Sequence, residues 1–190
     1  MNGIKIGFAL CGSFCTFKSA VAQMVELIAE GAEVTPIMSQ NAYSTATRFG
    51  QPHEYNDLIE SLCGKKIIHT ITDAEPIGPK KMFDVLLIEP CTGNTLAKLA
   101  AGITDTSVTM AAKSHLRNAK PVVIAVSTND ALGNSAKNIG NLLNYKNIYF
   151  VPMKQDDSAN KPRSIVADFS YTVPTILSAL DGKQIQPILL

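Results

Sequence analysis

The chain contains no tryptophan, few aromatic residues, and a charged fraction of only 17% with a formal net charge of +1. Near-neutrality removes the electrostatic basis for bulk binding to nucleic acid or to an anionic membrane. The same scarcity of charge, set against 46% hydrophobic residues, excludes a disordered chain. No apolar run approaches the roughly 18 residues that span a bilayer. The N-terminal MNGIKIGFALCG lacks the basic leader of a signal peptide, and Lys5 and Gly7 interrupt its apolar stretch. Four cysteines are present, Cys11, Cys15, Cys63 and Cys91, and no second Cys/His pair accompanies Cys11 and Cys15 at zinc spacing. No metal site is expected. Without a leader these cysteines read as reduced thiols, and the expected compartment is the cytoplasm.

Also missing is the dinucleotide fingerprint. Only Gly7 and Gly12 punctuate the first strand and turn, at the wrong spacing. The second strand ends in Ser39-Gln40-Asn41, with no carboxylate to hold a ribose; Glu33 lies at its other end. A dinucleotide fits poorly.

What is present is alternation. Segments 4–11, 33–39, 83–90, 121–127 and 147–153 read as strands, most of them near-continuous apolar runs of the kind buried on both faces of a parallel sheet. Between them lie helical patterns. Val21, Met24, Val25 and Ile28 follow one helix face, with Gly31 as its stop, and further helices are expected near 54–63, 94–112, 135–144 and 169–180. The whole, residues 1–190, reads as one domain, a doubly wound α/β sandwich. Residues 40–52 and 154–164 are polar, turn-rich insertions that follow strand C-termini, the edge at which such sheets bind ligands.

Three strand ends carry unusual chemistry. FDVLLIEP breaks at Pro90 into Cys91-Thr92-Gly93-Asn94-Thr95 and then a helical pattern, which presents hydroxyls and free amides to an anion. Gly12-Ser13 and Ser39 end the other two strands. Singly, Ser13 and Thr92 read as helix caps and Ser39 as a strand terminator. Together on one edge, Gly12, Ser13, Ser39 and the amides of Asn94 and Thr95 suit the phosphate of a mononucleotide.

These residues carry a family resemblance. PCTGNTLAKLAAGITDTSVTMAA resembles the flavin-binding signature of the homo-oligomeric flavoproteins that include phosphopantothenoylcysteine decarboxylase, peptidyl-cysteine decarboxylases and flavin prenyltransferases. The matching positions are Pro90, Asn94, Thr95, Gly102, Ile103, Asp105 and Thr109. The resemblance covers most of the chain. It implies a flavodoxin-like (Rossmann-like) three-layer sandwich, FMN as cofactor, and assembly as trimers or dodecamers. The cofactor-binding residues it implies are Gly12, Ser13, Ser39, Thr92, Gly93, Asn94, Thr95, Asp105 and Thr109. Within that family, IGPKKMFDVLLIEPCTGNTLAKLA, STNDALGNSAKNIGNLL and KNIYFVPMKQDD closely resemble the B subunits of dipicolinate synthases. That branch implies an A subunit as partner, NAD(P) bound only through that partner, a small dicarboxylate substrate, and work in the mother cell of a sporulating bacterium.

Two residues are candidates for chemistry. By position His69 matches the active-site histidine of the cysteine decarboxylases, and a neutral imidazole suits proton removal. It could equally satisfy a backbone carbonyl at a sheet edge. Asn129 aligns with the asparagine that grips a substrate carboxylate in those enzymes, although Ser127-Thr128 replace the preceding Pro-Ala-Met. The same segment could simply shape a turn. Among the cations, Arg48 and Arg163 lie in the two loops beyond strand ends and are the candidates for a dicarboxylate. Three readings stay open: a component of an enzyme that oxidises a dihydrodipicolinate-type precursor, an FMN-dependent decarboxylase of a cysteine-containing substrate, and a non-catalytic flavin-fold partner protein.

Overall fold

The computed structural model describes residues 1–190. Seven strands form one sheet: β1 (Lys5–Leu10), β2 (Glu33–Met38), β3 (Val85–Cys91), β4 (Val122–Thr128), β5 (Ile148–Phe150), β6 (Met153–Lys154) and β7 (Ile165–Ala167). The helices are α1 (Phe17–Ala29), α2 (Gln40–Ser44), α3 (Pro52–Cys63), α4 (Ile71–Ala74), α5 (Gly93–Ala101), α6 (Ser107–Leu116), α7 (Ala136–Leu143) and α8 (Thr172–Leu180). The strand order is β2-β1-β3-β4-β7-β6, with β5 paired to β4. β3 is buried along its whole length because helices cover both faces, which explains its unbroken apolar sequence. One layer of core packs α1, α3 and α8 on Phe8, Leu10 and Leu87; the other packs α5, α6 and α7 on Leu86, Ile88 and Ile124. The fold class expected from alternation holds: α/β, mostly parallel, three layers.

The departures have physical causes. The helix expected at 94–112 is two helices, because Gly102 adopts a left-handed conformation (φ +71°) that ends α5, and Thr106 caps α6. The strand expected at 147–153 is interrupted at Val151 and Pro152. The segment 169–180 opens with a 3-10 turn and is α-helical only from Thr172. Two antiparallel strands escaped the sequence pattern. β4 pairs with β5 through Val122–Ile124 and then, further along the same edge, antiparallel with β7 through Ser127 and Thr128. β6 and β7 are only two and three residues long, too short for alternation to register. Their hairpin projects loop 155–164 over the C-terminal edge of the sheet, while the loop after α2 rises beyond β2.

Candidate functional site

Two clefts open side by side along the C-terminal edge. The first, about 690 Å³, is lined by Gly12, Ser13, Arg48, Gly93, Ser127–Asp130 and, from loop 155–164, Asp156, Lys161 and Ser164. The second, about 650 Å³, is lined by Gly12, Ser39, Asn41, Thr92, Asn94, Thr95, Lys98 and Asp105. Gly12, Phe14, Thr92 and Asn94 border both, so the clefts form one groove over the ends of β1 and β3.

The hydroxyls divide into caps and free groups. Thr92 accepts a hydrogen bond from the Thr95 amide (3.4 Å) and starts α5; Ser39 accepts from Ala42 (3.3 Å) and starts α2. Ser13 caps nothing. Its hydroxyl meets Ser127 Oγ at 2.8 Å and accepts from Thr16 Oγ1 at 3.2 Å, which ties the first turn to the end of β4. In the second cleft Lys98 contacts both oxygens of Asp105 (2.8 and 2.9 Å), and this bond holds the Asp105 carboxyl below its ordinary range.

Asp130 organises the first cleft. It accepts from Thr128 Oγ1 at 2.6 Å and from Ser135 Oγ at 2.9 and 3.0 Å, and it abuts Gly93 at the start of α5. A carboxylate of the protein therefore sits on that side of the helix N-terminus, where it complements the dipole. The other side opens into the second cleft, towards Asn94, Thr95 and Ser39. Asp156 faces Lys161 at 3.1 Å, and the Ser164 hydroxyl together with that ion pair keeps it ionised to lower pH than usual.

Beneath the groove lie Cys11 and Cys91, both fully buried and, like Cys15 and Cys63, free. Thr95 Oγ1 donates to Cys11 Sγ at 3.2 Å. Hydrogen bonding from Cys91 and then from Thr95 lowers the Cys11 thiol, whereas burial raises Cys91. Both belong to the buried core under α5, and Thr95 links Cys11 to the second cleft.

The structure thus brings together Gly12, Ser13, Ser39, Thr92, Gly93, Asn94, Thr95, Asp105, Asn129 and Arg48. Three candidates stand apart. Thr109 is buried and completes a capping box with Thr106. Arg163 lies beside Gly133, its carbonyl accepting from Leu132, and lines neither cleft. His69 stands outside the β2 edge, next to an isolated Ile37–Ile68 bridge. Its ring stacks on Tyr43 (3.9 Å between centroids, 9° between planes), with Nδ1 3.3 Å from the Ile67 carbonyl. Sequence reasoning missed Asp130, Lys161 and Lys98 as site residues. Asp130 read as a turn residue and Ser135 as the start of a helix, and only the antiparallel hairpin brings Lys161 to the groove.

A flavin mononucleotide suits this groove. The second cleft offers hydroxyls, amides and one lysine, the adjoining cleft has comparable volume, and both lie in the range of cofactor pockets. The flavoprotein family model matches residues 1–171.

The chain belongs to the flavoprotein family.

This flavoprotein is 48% identical over 189 residues to the B subunit of the dipicolinate synthase of Bacillus subtilis (strain 168), across 100% of this chain and 94% of that protein. The crystal structure of the B subunit of the Bacillus halodurans dipicolinate synthase superposes with a TM-score of 0.91 at 44% identity, over 100% of this chain and 98% of the other. The Burkholderia xenovorans protein DmrB in complex with FMN shares the fold at a TM-score of 0.67 and 18% identity, over 94% of this chain and 97% of that one. No helix is long and apolar enough to cross a membrane.

Proposed function

We propose that this flavoprotein binds FMN in the groove and, with a partner A subunit carrying its own NAD(P) site, takes part in oxidising a dihydrodipicolinate-type precursor to dipicolinate, pyridine-2,6-dicarboxylate. The observation that carries this reading is the full-length likeness to the B subunit of dipicolinate synthase from Bacillus subtilis. The groove adds a physical reason, since a hydroxyl-rich cleft for phosphate adjoins a cleft bearing two cations.

Gly12, Ser39, Asn94 and Thr95 would hold the phosphate, and Thr92 and Ser13 the groove between the clefts. Bound there, FMN supplies a two-electron acceptor. Aromatisation of the ring favours the reaction, so the chain's part is to orient the substrate and remove a proton. Asn129 donates through its side-chain amide to a substrate carboxylate, and loop 155–164 forms one wall of that cleft. His69 takes the proton at Nε2, because an Nδ1–H donated to the Ile67 carbonyl leaves Nε2 as the free acceptor. Within one chain His69 lines neither cleft. The role therefore belongs to an assembly, a trimer or dodecamer in which His69 of one copy borders the groove of the next. In this reading the protein works in the cytoplasm of the mother cell of a sporulating bacterium.

Absorbance in the flavin bands, recorded before and after adding FMN to the purified protein, tests the cofactor. Saturable binding with a shifted spectrum is expected, and no binding would remove every flavin-dependent reading. Dipicolinate formation in the presence of the A subunit should fall at least tenfold in His69→Ala and Asn129→Ala variants. Undiminished formation would favour a non-catalytic partner, and carbon dioxide release from a cysteine-containing substrate would favour a decarboxylase.

A further inference from the structure

The first cleft is lined by two cations, Arg48 and Lys161, and by two carboxylates, Asp130 and Asp156. These four are not equally committed. Asp130 is held by the hydroxyls of Thr128 and Ser135. Arg48 enters no salt bridge; its guanidinium lies 4.9 Å over the Phe49 ring, which leaves its fork of donors free. Lys161 and Asp156 face each other at 3.1 Å.

That last pair is built to exchange. The backbone of Lys161 is fixed on both sides, its N–H donating to the Asp157 carbonyl (2.8 Å) and its carbonyl accepting from Ser164 (3.0 Å). Its side chain is 57% exposed, so the ion pair with Asp156 contributes little. A carboxylate held inside the cleft offers a stronger, charge-assisted partner. The two cations also rise from different loops, one beyond β2 and one between β6 and β7, so a ligand that engages both links the two loops.

Resting on the function proposed above, we infer that Arg48 and Lys161 form a two-point grip for a dicarboxylate. Arg48 takes one carboxylate, and Lys161 leaves Asp156 to take the other. Asp156 is then an internal competitor: it holds Lys161 when the cleft is empty and repels a dianion that enters. Asp156 thereby sets the affinity, and Lys161 discriminates two carboxylates from one.

Dipicolinate itself, titrated calorimetrically into the purified full chain in chelator-treated buffer, is the probe, with picolinate as its single-carboxylate counterpart. Lys161→Met should weaken dipicolinate about tenfold or more while changing picolinate less than threefold, and Lys161→Arg should restore most of the loss. Asp156→Asn should tighten dipicolinate. Dipicolinate should also protect Cys15, which lines the same cleft, from alkylation. The grip is overturned if dipicolinate does not bind, if Lys161→Met changes its affinity less than twofold, if Asp156→Asn weakens it, or if Cys15 stays unprotected. Turnover with the A subunit is measured separately, so a failed grip leaves the oxidation reading standing, and failed turnover leaves the grip to the titrations.

Discussion

Gly93 and Asp130 are fitted so closely that a Cβ on Gly93 would lie 2.7 Å from Asp130 Oδ1. It would also lie 2.7 Å from Ser135 Oγ and 2.9 Å from Thr128 Oγ1. The start of α5 is therefore seated directly on the hydroxyl-held carboxylate of the first cleft. Gly93→Ala should destabilise the protein by roughly 1–3 kcal/mol through overpacking. It should also weaken FMN binding at least tenfold, because the amides of Asn94 and Thr95 move with the helix. Denaturant midpoints and a flavin titration measure the two effects; wild-type affinity in this variant would refute the coupling.

Thr109 separates the structural from the binding role of a signature residue. Its Oγ1 accepts from the Thr106 amide at 3.1 Å, and Thr106 Oγ1 accepts from the Thr109 amide at 3.1 Å. Thr109→Val should cost about 1 kcal/mol of stability through the lost cap and leave FMN affinity within about twofold. Thr95→Val, which alters the second cleft itself, should lower FMN affinity more than it lowers stability. Flavin fluorescence titrations of the two variants decide this, and the reverse ranking would make Thr109 a cofactor contact.

Two buried groups set an unusual dependence of stability on pH. Burial raises Glu89 to about 8, partly offset by the bond Thr172 donates to it at 2.6 Å, while Glu89 Oε1 has no partner. Burial lowers His115 to about 4, with the Pro121 carbonyl near its Nε2. Between pH 4.5 and 8 the folded state keeps the Glu89 proton that the unfolded chain releases, so this contribution declines as pH rises. Between pH 4 and 6.5 the unfolded chain protonates His115 and the folded state does not, so stability is lost as pH falls. The two trends oppose below pH 6.5. Above it the His115 term is complete, and the Glu89 term falls by up to about 1.4 kcal/mol per pH unit until about pH 8, opposed only by the lowered Cys11 thiol. Urea midpoints across this range should show the decline, and Glu89→Gln should flatten it. A flat wild-type profile above pH 6.5 would contradict the neutral, buried Glu89.

The shared site proposed for His69 and Asn129 has a direct assay. His69→Ala and Asn129→Ala, each at least tenfold impaired alone, should regain activity when unfolded together and reassembled, because some grooves then combine an intact histidine from one copy with an intact asparagine from the next. A mixture no more active than its components would confine both residues to a single chain.

Much of the groove was legible because the relevant signals are local. Ser39 and Thr92 sit where a strand ends and a helix must be capped, and β3 is apolar along its length because both its faces are covered. The break at Gly102 went unseen because the apolar pattern continues across it, and only the left-handed backbone ends α5. Lys161 was overlooked in favour of Arg163 because two residues of one loop cannot be ranked until the β6–β7 hairpin fixes which of them lines the cleft.

The sequence by itself determined the parallel α/β layers, the hydroxyl-capped strand ends and the family, since these rest on apolar runs, capping residues and motif spacing that neighbours along the chain decide. Tertiary structure alone decided that Asp130 occupies one side of the α5 N-terminus and that His69 lies beyond the β2 edge. Each of these is a relation between residues distant in sequence, and the packing of β4, α5 and the sheet edge fixes it.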